Sequence, residues 1–362
     1  MDAFFALWKW PYSLAVRARW GIVNEHEPQH TELSIARIAR IARIATADAR
    51  RLSLDPVPRS TTVLLMPPTE HIPVLLDEVI AALSPQPGQT IIDGTLGAGG
   101  HARRLAQLVD PGGRLLALDL DPQAVAAAEL GFTGQDLPLS LCHSSYVDIP
   151  EVLDTLQITT VDGVLLDLGL SSDQLSDRER GFSFAGDGAL DMRYDPQQGE
   201  PAWRLLERLS GEHLADLIFS YGEERYSRRI ARAIVKSRQA DPVRTSGQLA
   251  ELVQRAVPRS ADSGRIHPAT RTFQALRIAV NDELRSLENF LRRMPEHLHP
   301  GGRLAIISFH SLEDRRVKEA FRDDPRLQVV TRRPIRSSEA EIERNPRSRS
   351  AKMRVAQRNE ST

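Results

Sequence analysis

The chain has 362 residues, 41% hydrophobic and 26% charged, and a formal net charge of −1. That composition predicts a soluble globular protein long enough for two domains, and excludes a global basic field for nucleic acid. A single cysteine, Cys142, excludes an intramolecular disulfide and a multi-cysteine zinc site, and no apolar run approaches the ~18 residues that span a bilayer.

Residues 1–65 differ in texture from the rest of the chain and read as an N-terminal extension. Their start, Met1 to Pro11, is too short and interrupted for a signal h-region, so the chain is expected in the cytoplasm. A triplet repeat, Ala36-Arg-Ile-Ala-Arg-Ile-Ala-Arg-Ile44, drifts about 60° per repeat pair on a helix and cannot make one clean stripe. It reads as disorder, as a basic arm, or as sequence preceding a start at Met66.

From His71 the pattern is orderly. Val74 to Leu83 predicts an amphipathic helix stopped by Ser-Pro-Gln-Pro-Gly. Strands are predicted at 90–96, 114–120, 137–145 and 161–169, alternating with helices at 101–109, 122–130 and 149–158. Such alternation implies a parallel sheet built from βαβ units. Charged helical sequence then runs from Pro201 to about Val257, and a Pro/Ser/Gly-rich loop leads on to Thr270. Strand character resumes at 301–310, and strand-like segments come after it at 327–332 and 351–357. The expectation is an α/β Rossmann-like core over 66–178 and 275–362, with a helical substrate-recognition insert at 179–274.

The first loop is the richest in chemistry. Thr90-Ile-Ile-Asp-Gly-Thr-Leu-Gly-Ala-Gly-Gly-His101 is an apolar run ending in Asp93, then a glycine turn, then a helix. A helix starting there presents free N–H groups to a ligand. Asp119, ending the next apolar run, is the expected partner of a ribose diol. Gly97-x-Gly99-x-x-Ala102 also fits a dinucleotide fingerprint, so a NAD-dependent oxidoreductase stays open. Asp93 four residues before Gly97, the bunched glycines and the terminal hairpin favour S-adenosylmethionine.

Strand four runs into Asp167-Leu-Gly-Leu-Ser-Ser172, where an open α/β sheet places its reacting ligand. Cys142 lies inside strand three and reads as a small buried hydrophobe, which disfavours the covalent cysteine chemistry of pyrimidine carbon 5 and leaves nitrogen or oxygen acceptors. In the insert, Arg225, Arg228, Arg229, Arg232 and Lys236 fall within about 100° of a helical arc, with Tyr226, Ile230, Ala233 and Ile234 on another side. The stripe reads as a grip on RNA phosphates or as a solvated face; Arg265, His267, Arg271 and Arg277 form a second basic cluster. A non-catalytic ribosome-assembly RNA-binding protein would keep these cations too.

Several blocks, taken together, resemble one family closely. They are His71-Ile-Pro-Val-Leu-Leu-Asp-Glu-Val79, Asp93 to His101, Leu165 to Ser172, Arg180-Gly-Phe-Ser-Phe184, Leu190-Asp-Met-Arg193 and Tyr221-Gly-Glu-Glu-Arg225. His267 to Arg277, Ile307 to Asp314 and Asn345-Pro-Arg-Ser-Arg349 complete the set. The chain resembles the MraW-type 16S ribosomal RNA cytosine-N4 methyltransferases. The resemblance implies S-adenosylmethionine as cofactor and 16S rRNA in the small ribosomal subunit as partner. It implies cofactor contacts from Gly99, Gly100 and His101, from Asp119 at the ribose, from Tyr146 beside the adenine, and from Asp167 and Gln174. Candidates to hydrogen-bond a cytosine N4 amine are Asp167, the Leu168–Leu170 carbonyls and Ser171 with Ser172, and His310 is a second candidate to receive its proton. No metal is expected, since inversion at a methyl group develops no anion.

Overall fold

The computed structural model describes residues 72–184, 186–258 and 267–360. The N-terminal extension, its triplet repeat, Met66 and Arg265 lie outside the described residues. The chain divides into two compact units: residues 177–285, and the described remainder on either side of them.

The larger unit is a seven-stranded sheet in the order β3-β2-β1-β4-β5-β7-β6. Its strands are β1 (Thr90–Asp93), β2 (Arg114–Asp119), β3 (Leu139–His143), β4 (Val161–Asp167), β5 (Leu298–Ser308), β6 (Leu327–Val329) and β7 (Lys352–Arg358). β1 to β5 pair in parallel, and β7 is antiparallel to both β5 and β6. The helices of this unit before the smaller one are α1 (Leu76–Leu83), α2 (Gly100–Val109), α3 (Pro122–Phe132), α4 (Ile149–Thr155) and α5 (Ser172–Ser176). This is the Rossmann-like arrangement expected, with the chain switching direction across the sheet between β1 and β4.

Each central strand is apolar on both sides, and the pleat sorts neighbours to opposite faces. Ile92, Leu116, Val164 and Leu166 join one core with Cys142 and Phe290; Ile91, Leu115, Ala117 and Leu165 join the other with Leu105 and Val79. Strands stop earlier than their apolar runs because glycines turn the chain. β1 ends at Asp93, where a Cβ on Gly94 would lie 2.5 Å from Leu166. β4 ends at Asp167, and Gly169 comes next but one at φ +105°. Burial pushes the Cys142 thiol up to about 11, so it is no nucleophile.

The smaller unit carries α6 (Ala202–Arg208), α7 (Gly211–Gly222), α8 (Ser227–Ser237), α9 (Ser246–Ala256) and α10 (Thr270–Asn281). α11 (Glu283–Arg293) begins here and carries Leu287, Phe290 and Leu291 into the sheet's core. The unit extends to Arg285 rather than to the expected 274. The reason is local: Asn281 donates to Met192 O (2.7 Å) and accepts from Tyr194 N (2.8 Å), so the end of α10 is stitched to the unit's opening loop. Arg277 closes a bidentate pair with Glu283 at 2.8 and 2.9 Å, which gives it a structural role.

The basic stripe needs one correction. Glu223 ends α7 at φ 49° and α8 starts only at Ser227, so Arg225 sits on the intervening turn, not on the helix. Its guanidinium lies 4.7 Å over the Tyr226 ring. The buried seam of α8 is Ser227, Ile230, Ala231 and Ile234, with Tyr226 and Ala233 only half-buried. Arg228, Arg229, Arg232 and Lys236 lie on α8, Arg228, Arg229 and Arg232 outside its buried seam. Among the described residues no helix is long and apolar enough to cross a membrane.

Candidate cofactor and acceptor site

The carboxyl ends of β1, β2, β3 and β4 bring Gly99, Gly100, His101, Asp119, Tyr146, Asp167, Ser171 and Gln174 to one edge of the sheet. The loop after β1 is held from below: Gly94 N donates to Leu165 O (2.9 Å) and Leu96 N to Leu118 O (2.8 Å). Gly97 and Gly99 adopt φ +50° and +78°, conformations that L side chains rarely take. Gly100 answers to packing instead, since a Cβ there would lie 2.3 Å from Pro73. Gly99 caps α2 without any side-chain acceptor, and a helix start of this kind can offer backbone N–H groups to a ligand.

Asp119 clasps this loop to the next. Its Oδ2 accepts from Gly97 N (2.8 Å) and its Oδ1 from Asp121 N (2.9 Å). A carboxylate has about four acceptor positions, so two remain for a diol. Loss of hydration pushes Asp119 up to about 6, against the pull of those two N–H groups. Tyr146 lies just beyond β3, its ring edge-on to Phe290 at 5.5 Å and its Cβ 3.1 Å from where a Gly94 side chain would be.

Beneath the glycine loop lie two acids. Asp93 is fully buried; its Oδ1 accepts from Thr95 N (3.1 Å) and its Oδ2 has no hydrogen-bond partner among the described residues. Burial, then the charge of Asp119, pushes Asp93 up to about 7. Asp167 Oδ1 is likewise buried without a hydrogen-bond partner among the described residues, while Asp167 N donates to Thr95 Oγ1 at 2.6 Å. Burial, then the charge of Asp93, pushes Asp167 up to about 8, opposed by the Arg347 guanidinium. An uncapped helix start, a half-satisfied acid and two orphaned carboxylate oxygens fit a ligand that carries both a diol and positive charge.

His101 is buried, with Nε2 3.0 Å from Val74 O and Nδ1 3.9 Å from Asp167 Oδ2. It spans from the α1 entry to the acid at β4. Gln174 is also spent internally, donating to Asp121 Oδ2 (2.9 Å) and accepting from Ser171 N (3.0 Å). Ser171 Oγ accepts from Gln174 N at 3.1 Å. His310 stands at the end of β5 as the N-cap of α12 (Ser311–Asp323), with Nδ1 accepting from Glu313 N and Nε2 3.2 Å from Glu313 Oε1.

Arg347 is the residue that sequence reasoning misses. It donates to the Ser172 hydroxyl and to Leu170 O, so both are already engaged as acceptors. The signal lies in Asn345-Pro-Arg-Ser-Arg349, a block that carries the family resemblance without marking any one of its residues. Asn345 and Glu341 flank it from α13 (Glu339–Arg344) and its end, binding Ile72 O and Leu75 N across more than 260 residues. Asp121, caught between Gln123 N and Gln174, is legible as an N-cap before Pro122.

Residues 68–359 match the model of the MraW methylase family. This chain belongs to the MraW methylase family. Among its relatives are proteins named ribosomal RNA small subunit methyltransferase H. The one from Rhodopirellula baltica is 50% identical over 299 residues, covering 80% of this chain and 92% of that protein. The one from Nitratidesulfovibrio vulgaris is 47% identical over 310 residues, covering 80% and 86%. The one from Cyanothece is 50% identical over 294 residues, covering 81% and 96%. Membership sets aside the dinucleotide alternative that the glycine spacing alone leaves open.

Proposed function

We propose that this MraW-family chain methylates the exocyclic N4 of a cytidine in 16S rRNA of the small ribosomal subunit, using S-adenosylmethionine. The observation that carries the acceptor chemistry is the orphaned, buried Oδ1 of Asp167 at the end of β4. Bound, the donor supplies an electrophilic methyl group on a sulfonium. Asp119 and the start of α2 hold its nucleoside end, and Tyr146 flanks the base.

The amine of cytosine is a poor nucleophile because its lone pair is spread into the ring. Asp167 accepts a hydrogen bond from N4, which localises that pair and aligns it at the ~3–3.5 Å of a near-attack geometry. With the donor bound, the N4–carbon bond would form as the carbon–sulfur bond breaks, and the Asp167 carboxylate would take the proton that N4 sheds. A neighbouring positive charge favours that carboxylate, offsetting the burial that otherwise keeps it protonated. The Leu168 carbonyl and the Ser171 hydroxyl complete the loop facing the amine, while Leu170 O and Ser172 are engaged by Arg347. Mapping small-subunit rRNA from cells with and without the gene tests the acceptor atom. Loss of a single N4-methylcytidine is expected; loss of a 5-methylcytidine or a methyladenosine instead would refute it.

Arg228, Arg229, Arg232 and Lys236 on α8 hold RNA phosphates, with Arg225 on the preceding turn. None of the five makes an ion pair among the described residues, so their charge is available to an anion. Arg228→Glu with Arg232→Glu should weaken RNA binding and reduce the salt slope by about 0.7 per lost phosphate contact on single strands. Cofactor affinity should not move. An unchanged slope, read from filter binding at several salt concentrations, would reduce the stripe to a solvated face.

A further inference from the structure

The insert holds an aromatic stack that the methyl-transfer reading does not use. Phe184 and His267 lie face to face, centroids 4.7 Å apart and planes 20° from parallel. Phe273 meets Phe184 edge-on at 4.8 Å and 82°, and is itself buried. The stack is therefore rooted in the core of the insert and ends outward in His267, which is exposed.

His267 is also held in place. The Ala269 N–H donates to its Nδ1 at 3.2 Å, which makes that nitrogen the acceptor and leaves the ring proton on Nε2. Pro268 restricts the backbone beside it. One face of the ring is covered by Phe184, and the ring as a whole remains open to water. A rigid, partly covered aromatic ring at the surface offers a second π-face at little further cost in conformational entropy.

What surrounds it selects the partner. Arg271, one helical turn on, is exposed and donates from Nη1 to Glu223 O at 3.3 Å. That contact joins the His267–Arg271 edge to the Glu223–Arg225 turn, where Arg225 stacks on Tyr226. Cations and rings thus interleave along one connected stretch of the insert, the pattern of surfaces that grip single-stranded nucleic acid by its phosphates and its bases together. A fully paired RNA helix would hide its base faces.

We infer that the outer face of His267 is a stacking platform for one unpaired nucleobase of the RNA substrate. The assignment rests on the reading of the insert as the RNA-binding unit, and adds to it a base contact that tolerates any sequence. Any base has a π-face, so the platform recognises unpaired RNA rather than a particular nucleotide.

The test uses the full chain and a single-stranded RNA oligonucleotide carrying 2-aminopurine, whose fluorescence falls on stacking. The wild type should quench the probe. His267→Ala should lose the quench and bind roughly tenfold more weakly, with the salt slope unchanged. His267→Trp should restore both. S-adenosylmethionine affinity of the variants should match wild type, and His267→Trp, which lacks the Nδ1 acceptor just as His267→Ala does, separates a platform from a residue that merely starts α10. No quench by the wild type, or an equal quench by His267→Ala, overturns the platform. The underlying RNA reading fails separately, if Arg228→Glu with Arg232→Glu leaves methyl transfer into small subunits intact.

Discussion

Asp167→Asn should lower single-turnover methyl transfer into small-subunit RNA by about 10²–10⁴-fold, the range of a well-placed proton acceptor. The amide keeps the shape of the side chain but cannot take a proton from N4. Because kcat/KM reports groups of the free enzyme, the wild-type value should climb with pH across the range set by Asp93 at about 7 and Asp167 at about 8. In the Asn variant the upper part of that rise should vanish.

Stability should move the other way. Burial raises Asp167 from 3.8 to about 8, so between those values the folded state holds the proton more tightly than the unfolded chain. The contribution is fully present below about 4, declines as pH rises, and is lost through about 8. Asp167→Asn has no such loss, so its Tm relative to wild type should increase between pH 6 and 9. A variant that loses activity together with Tm at pH 9 would mark Asp167 as a structural residue and not the acceptor.

Asp119→Ala should weaken S-adenosylmethionine binding by about tenfold to a hundredfold, the usual effect of losing hydrogen bonds to a charged group. Two things go at once: the candidate ribose acceptor, and the clasp on Gly97 N and Asp121 N that shapes the loop. Calorimetric titration measures the loss directly. Asp119→Asn separates the two contributions, since its one carbonyl oxygen retains part of the clasp. Unchanged affinity in Asp119→Ala would remove this residue from the cofactor site.

Much of the sheet is legible in the sequence because parallel strands bury both faces. Ile91-Ile92, Leu115-Leu116 and Leu165-Leu166 announce that state as unbroken apolar pairs, and the structure deals each pair to opposite cores. Ends are less legible. An apolar run says that residues are buried, not that they pair, so Leu96 and Leu168 read as strand residues although both lie in the loops beyond. Arg225 shows the same limit on helices: its angular position fits the stripe, but the left-handed turn at Glu223 starts a new helix after it.

By itself the sequence determined the order of elements, the glycine loop with the acid at Asp119 beyond it, the acid that ends β4 and the family, because each is written in neighbouring residues. Only the tertiary structure decided which side chains serve the loop and which remain open to a ligand. Gln174 is spent on Asp121, Leu170 O and Ser172 on Arg347, and Nδ1 of His310 on its own helix, while its Nε2 is buried beside Glu313 Oε1 without a hydrogen-bond partner among the described residues. The carboxylate oxygens left over among the described residues belong to Asp93 and Asp167. Hydrogen bonds between residues 53 to 177 positions apart leave no local pattern, since their partners meet only when the strands line up in the sheet.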